Sequence, residues 1–502
     1  MDKLLCLFIC TLMSLLLKIG ATAVHWPSGY SVEWEAIDES SGLSMVAKQY
    51  LSEGEGAVRW DLYGGENTFI LKLKDPKTKG LCYYFPETVG ADVNKMNCFF
   101  IPGLPLENVT TSQYGLPNTE GYSKSGMISV NGAQVQEWTY KINKYGILSD
   151  GSLWINMGTK TEGPIPVKAH TTSYDDERDA SFISAFRRNV LYYNYIPQEP
   201  EKSIWDGPNN VDCHIPSQED LELVKDIYDA IIGNVPSPAE STSKQVSVSG
   251  KKYKGLKISS SSQDSALPFP YTDDEVREMA AALPKSFDWR LRGAVTEVKD
   301  QMRCGSCWAF GTVGSMEGAY FLKTGILTDM SEQALMDCGW THDPDDNTTI
   351  GGCFGNYPEN AFKWIENHGG LPLTVDYGNY REINGRCKLN NIKPVAPIKG
   401  YVHVHNNTDA VKVALYHHGP LTVLIYCPPE FYSYTHGVLH SSKRGHLDHS
   451  VLLVGYGSLD GDDYWIIKNS WARSWGLLGY ALISTANNTL RLLDAVWYPI
   501  MK

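Results

Sequence analysis

The segment Gln301-Met-Arg-Cys304-Gly-Ser-Cys307-Trp308-Ala-Phe310 places a thiol where an irregular stretch gives way to a helical pattern. Apolar residues recur at helical spacing after Trp308, and Gly325 stands where a left-handed helix stop is expected. The pattern therefore predicts a helix that begins at Cys307. Because a helix N-terminus carries about half a positive charge and unpaired N–H groups, it predicts a lowered pKa for this thiol. The amide of Cys307 is also placed to hold a developing oxyanion.

Three further side chains complete a site for acyl transfer to a thiol. His449 heads the apolar run Ser450-Val-Leu-Leu-Val-Gly-Tyr-Gly, and Asn469 follows in Lys-Asn469-Ser-Trp471. An amide oxygen that accepts from the imidazole would fix its tautomer, and the Trp471 indole would shield that hydrogen bond from water. Gln301 offers a side-chain N–H to the oxyanion. Together these residues predict nucleophilic catalysis by Cys307.

At these residues the chain resembles the papain family of cysteine peptidases, in its cathepsin L-like branch. The family signature is a Cys-Gly-(Ser/Ala)-Cys-(Trp/Tyr) run with His and Asn far downstream. The resemblance implies an endopeptidase in which Gln301, Cys307, His449 and Asn469 are the oxyanion donor, nucleophile, acid/base and orienting residue. It also implies a resting thiolate–imidazolium pair and an α+β fold of two lobes, a helical lobe facing a β lobe across a cleft.

Other interpretations of the same residues belong to different functional classes. Cys304-Gly-Ser-Cys307 alone also fits a redox pair or half a zinc site, and a single histidine or asparagine is usually structural. A thiol–disulfide oxidoreductase leaves Gln301, His449 and Asn469 without a role. A binding protein on an inert peptidase scaffold is the other alternative, and the presence of Cys307 argues against it. The order of the separated motifs favours the peptidase.

The resemblance also implies a substrate pocket for the second residue before the scissile bond. Its residues are apolar or small, which predicts a preference for hydrophobic side chains: Tyr357, Pro358, Leu447, Ser450 and Ala495. The neighbouring substrate-binding positions are Gly355, Asp448 and Trp471. Three departures from the family pattern remove no catalytic group. Phe354-Gly355-Asn356 replaces Asn-Gly-Gly, and Met302 and Ala472 replace glycines.

The chain has eleven cysteines, of which Cys6 and Cys10 fall in a predicted signal peptide. The family resemblance implies the disulfides Cys304–Cys353 and Cys338–Cys387, each contributing about 2–4 kcal/mol in loop-entropy models. Cys82 and Cys98 are close enough in sequence for a local bridge. Cys213 and Cys427 remain, and a bridge between them is one possibility.

Length and composition predict several units. A chain of 502 residues is too long to fold around a single hydrophobic core. Its sequence patterns divide it into a signal peptide (1–23), a β-rich domain (24–215), a linker (216–282) and the peptidase domain (283–502). The net charge of −13 does not indicate a nucleic-acid-binding surface. After the signal peptide, no segment is typical of a membrane anchor. The signal peptide ends at Ala21-Thr22-Ala23.

The expected route is secretory, to an extracellular or lysosomal destination. Four glycosylation sequons fit it, at Asn108, Asn347, Asn406 and Asn487. Polypeptides are the expected substrates, the cleaved N-terminal domain is a candidate partner, and neither a cofactor nor a metal is expected.

Short aromatic and β-branched runs in 24–205, separated by turn residues, predict a curved antiparallel sheet or a partly open barrel filled by side chains. Joined to the peptidase motifs, this domain resembles the counting factor associated protein D subgroup. A helix is predicted from Ser217 to Ile231, a flexible linker from Pro236 to Pro268, and a second helix from Thr272 that stops before Pro284. The long inhibitory helix typical of papain-family proregions is not found between Pro216 and Leu283.

Overall fold

The computed structural model describes residues 23–39, 42–74, 79–102, 111–117, 119–130, 132–144, 147–159, 163–175, 186–208, 211–217, 220–221, 224, 266–343 and 347–502. Residues 1–22 of the predicted signal peptide, most of the helix expected at 217–231, most of the flexible linker and Asn108 lie outside these ranges. Within the described ranges, no helix is both long and apolar enough to cross a membrane.

In the described part of the N-terminal domain, eleven strands form one antiparallel sheet. The strands are β1 (Gly29–Asp38), β2 (Ser44–Ser52), β3 (Ala57–Leu62), β4 (Asn67–Lys72), β5 (Gly80–Val89), β6 (Asp92–Pro102), β7 (Ser123–Val130), β8 (Ala133–Lys144), β9 (Ile147–Asn156), β10 (Ile165–Asp175) and β11 (Phe186–Ile196). Their order is β6-β5-β4-β3-β2-β1-β11-β10-β9-β8-β7, so two meanders meet where β1 pairs with β11. In the described pairing, β6 and β7 are edges, which matches the open form of the predicted sheet.

Large aromatic side chains fill the buried face of this sheet. Trp34, Trp60, Phe69, Tyr83 and Trp138 are at most 2% exposed, and the alternating burial of β3 shows the period of two expected of a half-buried strand. The aromatic runs that predicted strands therefore supply the core of the domain.

The C-terminal domain has the α+β class expected from its sequence. It contains α1 (Asp273–Ala281), β12 (Phe287–Asp288), α2 (Cys307–Thr324), α3 (Glu332–Cys338), β13 (Thr341–His342), β14 (Thr349–Ile350), α4 (Pro358–Asn367), α5 (Thr374–Tyr377), β15 (Ile398–His403), α6 (Thr408–His418), β16 (Leu421–Ile425), α7 (Pro429–Tyr432), β17 (Val438–Leu439), β18 (His449–Leu459), β19 (Asp462–Lys468), β20 (Tyr480–Ser484) and β21 (Val496–Met501). The prediction of a helix after Thr272 is confirmed, since Thr272 and Glu275 form a capping box at the start of α1.

Close packing of α2 on β18 joins the helical lobe to the β lobe. Every residue of α2 from Cys307 to Ala319 is buried. A Cβ atom at Gly314 would lie 2.8 Å from Cδ2 of Leu452, and one at Gly311 would overlap the Ser450 side chain. Glycine at both positions therefore lets the helix approach the strand that begins with His449.

Three disulfides are present among the described residues, and two are the pairs that the family resemblance implies, Cys304–Cys353 and Cys338–Cys387. Because Cys304 bonds to Cys353, a redox pair with Cys307 is excluded. The local bridge between Cys82 and Cys98 was a wrong prediction, as was the pairing of Cys213 with Cys427.

Cys98 bonds to Cys213 instead. The physical reason is a contact between residues that are distant in sequence. His214 lies beside β6, where its N–H donates to the Cys98 carbonyl and its carbonyl accepts the Phe100 N–H. Cys82, by contrast, lies opposite Phe100 in the β5–β6 register rather than opposite Cys98.

The sheet packs against the helical lobe of the C-terminal domain. Phe85 and Phe99 lie 5.1 and 5.4 Å, between ring centroids, from Phe354, and Trp340 joins the same aromatic cluster. Phe354 directly precedes Gly355, which is expected to bind substrate. The N-terminal domain therefore contacts this segment through the Phe354 side chain.

Candidate active site

The thiol of Cys307 lies at the first residue of α2, as the sequence predicts. The helix ends at Gly325, whose φ of 74° is left-handed. Backbone N–H groups of Ser450, Trp308 and Cys307 hydrogen-bond to the thiol. Because Ser450 belongs to β18, these contacts place the thiol beside the residue that follows His449.

The pKa of Cys307 differs from the prediction. Burial raises the pKa of this thiol to about 12, although the three backbone N–H groups act to lower it. The N–H groups at the helix N-terminus lower the pKa as predicted, but desolvation of a thiolate in a site 7% exposed outweighs them, so the net shift is opposite to the expected one. The thiolate–imidazolium pair with His449 stays a prediction.

His449 and Asn469 form the expected hydrogen-bonded pair. Nε2 of His449 lies 2.8 Å from Oδ1 of Asn469, and that oxygen also accepts the Ser470 N–H at 2.8 Å. The acceptor role of Oδ1 places the proton on Nε2, which leaves Nδ1 to exchange a proton with a thiol. The Trp471 ring stacks on the imidazole at 4.5 Å between centroids, as expected of a shield.

Gln301 is buried and held at both ends of its amide. Its Oε1 accepts from the Ser470 hydroxyl at 2.6 Å, and its Nε2 donates to the Cys304 carbonyl at 3.0 Å. An amide nitrogen carries two hydrogens, so the second N–H stays available for an oxyanion. Sequence reasoning missed Ser470 as an orienting residue, although its place directly after Asn469 was a signal.

The C-terminal part of the chain is similar to known cysteine peptidases. A family model described as papain family cysteine protease matches residues 283–500. Digestive cysteine proteinase 1 of Homarus americanus is 41% identical over 225 residues, which cover 43% of this chain and 68% of that protein. The chain belongs to the papain family.

Two further comparisons describe the extent of the match. Cathepsin L of Sarcophaga peregrina is 40% identical over 223 residues, covering 43% of this papain-family chain and 64% of that protein. A solved structure of the bromelain protease of Ananas comosus with the E64 inhibitor is 34% identical, covering 44% of this chain and all of that one, with a TM-score of 0.40. The chain spans 66% of digestive cysteine proteinase 2 of H. americanus and 59% of cysteine proteinase 15A of Pisum sativum.

The predicted pocket residues separate into two groups in this papain-family domain. Tyr357, Leu447 and Ala495 are buried, and the Leu424 N–H donates to the Ala495 carbonyl at 3.0 Å. Pro358 is the first residue of α4, and Ser450 lies against Gly311 of α2. Of the other positions, Gly355 has a φ of 84°, Asp448 accepts the Cys427 N–H, and Trp471 covers His449.

Two positions where this chain lacks the usual papain-family glycine are strained. Met302 and Ala472 have φ values of 53° and 60°, a left-handed conformation that costs an L-residue roughly 1–2 kcal/mol. The Met302 N–H donates to the Asp300 carboxylate at 2.8 Å, and the Ala472 N–H donates to the Lys299 carbonyl at 3.2 Å. These bonds tie both strained residues to the segment just before Gln301, at Asp300 and Lys299.

The raised pKa predicts how Cys307 behaves without its base. In His449→Ala, the buried thiol should titrate well above about 8.5, so its alkylation by iodoacetamide near pH 7 should be at least about 100-fold slower than that of an ordinary cysteine peptide. The rate should rise about tenfold per pH unit as the thiolate fraction grows. Alkylation rates measured from pH 6 to 10 check this. A variant thiol that titrates at or below the ordinary value would contradict the dominance of burial.

Proposed function

We propose that this chain is a cysteine endopeptidase that uses Cys307 as nucleophile, His449 as acid and base, Asn469 as orienting residue and Gln301 as oxyanion donor. The observation that carries the proposal is the hydrogen bond between His449 and Asn469, with the thiol of Cys307 held by the N–H of the residue next to His449. Gln301 lies in the same site through Ser470, which joins it to Asn469.

The mechanism follows from the proton positions. Because burial opposes a lone thiolate, the proton of Cys307 passes to Nδ1 of His449, and Sγ of the resulting thiolate–imidazolium pair attacks the substrate carbonyl carbon. The carbonyl oxygen gains the negative charge and receives the N–H of Cys307 and the second N–H of Gln301. The C–N bond then breaks as the imidazolium gives its proton to the amine, which leaves a thioester. Water attacks the thioester with His449 as base, and the thiol and the acid product are released.

The proposed specificity is a hydrophobic residue two before the scissile bond. Support comes from the burial of Tyr357, Leu447 and Ala495, and from Leu424, which pairs with Ser450 and donates its N–H to the Ala495 carbonyl. A polar or charged side chain that entered this buried, mainly apolar environment would lose its hydration, which costs free energy.

We also propose a secretory route, ending outside the cell or in lysosomes. Three disulfides support an oxidising compartment, and Asn347, Asn406 and Asn487 are exposed, as glycosylation requires. The chain would be cut in the linker or just before Leu283, with the N-terminal domain (24–215) staying bound to the peptidase domain (283–502). Membership of the counting factor associated protein D subgroup remains part of this proposal.

Labelling with an epoxide-type inhibitor of cysteine peptidases tests the activity. The mature protein should incorporate one inhibitor, and peptide mapping should locate it on the tryptic fragment that contains Cys307. Preincubation with a peptide that has leucine two before the cleaved bond should slow the labelling more than one with aspartate. Labelling spread over Cys82 and Cys427, or absent, would contradict a peptidase site.

A further inference from the structure

A loop in the C-terminal domain lies between the N-terminal sheet and the segment that carries Gln301. We call residues 380–387 the docking loop and residues 301–306 the oxyanion loop. The docking loop follows α5 and has no regular secondary structure. Its contacts on one side are with the sheet and on the other side with the oxyanion loop, so it links the two domains at the active site.

Arg381 is the first contact between the docking loop and the sheet. Its Nη1 lies 2.9 Å from Oε2 of Glu66, in the turn between β3 and β4, and the two side chains are 17% and 12% exposed. The guanidinium also lies over the Tyr63 ring, 5.1 Å from its centroid. Although burial favours the neutral acid, hydrogen bonding to Lys388 and the charge of Arg381 hold the pKa of Glu66 below its usual value. The pair is therefore ionised at neutral pH.

Amide side chains of the sheet form the second set of contacts. Nδ2 of Asn67 donates to the Asn384 carbonyl at 2.6 Å in a buried bond, and the Tyr83 hydroxyl donates to Oδ1 of Asn67 at 2.6 Å. Asn94 bonds both backbone groups of Cys387, accepting its N–H at 2.7 Å and donating to its carbonyl at 3.2 Å. These bonds fix the backbone of the docking loop, which a screened surface ion pair alone would not do.

On its other side, the docking loop holds the oxyanion loop by its neighbouring residues Tyr380 and Glu382. The Tyr380 hydroxyl donates to the Gln301 carbonyl at 2.7 Å and lies 2.9 Å from the Ser306 hydroxyl. Oε1 of Glu382 accepts the Arg303 N–H at 2.8 Å. Arg381, which pairs with Glu66, is the residue between Tyr380 and Glu382 in the chain. Its contact with the sheet therefore restrains the backbone that carries both residues.

A second connection runs through the backbone of Cys353, whose side chain is bonded to Cys304. Oδ1 of Asn384 accepts the Cys353 N–H at 2.7 Å, and the Cys353 carbonyl accepts the Gly305 N–H at 3.0 Å. Asn67 contacts the backbone of the same Asn384. The sheet thus reaches both ends of the oxyanion loop, at Gln301 and at Gly305.

The oxyanion loop needs such restraint because it is strained at Met302. The positive φ of Met302 is unfavourable for a methionine, so the backbone would change conformation if the neighbouring contacts were lost. A small shift of the loop would move the Gln301 amide, and oxyanion donors act only within about 2.7–3.1 Å of the developing charge.

We propose that the N-terminal sheet positions the oxyanion loop of the active enzyme, with Glu66, Asn67, Tyr380 and Glu382 as positioning residues that touch no substrate. The inference rests on the proposed peptidase activity. The Gln301 donor acts on the transition state, so loss of the contacts with the sheet should lower kcat. Binding of the substrate in the ground state should stay unchanged.

The test compares Tyr380→Phe and Glu66→Gln with Glu33→Gln, a control in which the carboxylate pairs with Lys48 within the sheet. In the full, matured protein, Tyr380→Phe should lower kcat for a fluorogenic peptide by about 10- to 100-fold with KM within about twofold. Glu66→Gln should lower kcat by roughly three- to tenfold, because Asp337 still pairs with Arg381 at 3.2 Å. Glu33→Gln should match the wild type.

Two inhibitors separate positioning from general disorder. A peptide aldehyde forms an oxyanion on the enzyme, so its affinity should fall by the same factor as kcat. Alkylation of Cys307 by iodoacetamide forms none, so its rate should stay unchanged. A wild-type kcat in Glu66→Gln would overturn the inference, because this substitution alone lies in the sheet, as would a loss that appears in KM or in the alkylation rate. If the wild type itself cleaves no peptide, the failure is that of the proposed function. If Tyr380→Phe fails to fold, as judged by thermal unfolding, Glu66→Gln decides the matter.

Discussion

Cys307→Ala should abolish peptide hydrolysis, with kcat/KM reduced by at least about 10³-fold, because no thioester can form without the sulfur. The fold should persist, since the side chain is at the start of α2 and alanine keeps its Cβ. Hydrolysis of a fluorogenic peptide with a hydrophobic residue two before the cleaved bond is the measurement.

Cys82→Ala is the matched control for this variant. Cys82 is also outside any disulfide, but it lies in β5 of the N-terminal sheet. The control should keep wild-type activity and the same thermal unfolding midpoint within a few degrees. Comparable turnover by Cys307→Ala and the wild type would remove Cys307 as nucleophile and with it the peptidase assignment.

Gln301→Ala should lower kcat by about 10²–10³, the usual effect of deleting one oxyanion donor. The amide is well placed for this role because Ser470 and the Cys304 carbonyl hold it and leave one N–H available. KM should change little, since the donor acts on charge that exists only after attack. Steady-state kinetics with the same peptide separate the two constants.

Gln301→Glu provides the companion to this variant. It keeps an oxygen to accept from the Ser470 hydroxyl but removes both N–H groups. Its kcat should therefore fall at least as far as that of Gln301→Ala, although its contact with Ser470 survives. A change confined to KM in either variant would mean that Gln301 binds substrate in the ground state instead.

Local sequence patterns were sufficient for the elements of this fold that depend on neighbouring residues. The start of α2 at Cys307 and its end at Gly325 follow from helical spacing and a glycine stop, and the capping box fixes the start of α1 at Thr272. Alternation and turn residues likewise predicted the antiparallel sheet. The hydrogen bond between His449 and Asn469 was anticipated from motif order, together with the ring stacking of Trp471.

Residues distant in sequence decided the rest. Cys98 pairs with Cys213 because the chain returns beside β6, and no spacing along the sequence carries that information. The pKa of Cys307 rises because the packed lobes exclude water from the thiol, an effect that a helix terminus considered alone omits.

The sequence by itself determined the family, the identity of the four proposed catalytic residues and the local elements that carry them, because each depends on short-range pattern and chemistry. Only the tertiary structure decided the environment of those residues. Ser470 orients Gln301, and Tyr380 and Arg381 connect the oxyanion loop to Glu66, more than 200 residues before it in the chain. Such contacts depend on which surfaces meet when two domains pack, and packing depends on the whole fold rather than on any one segment.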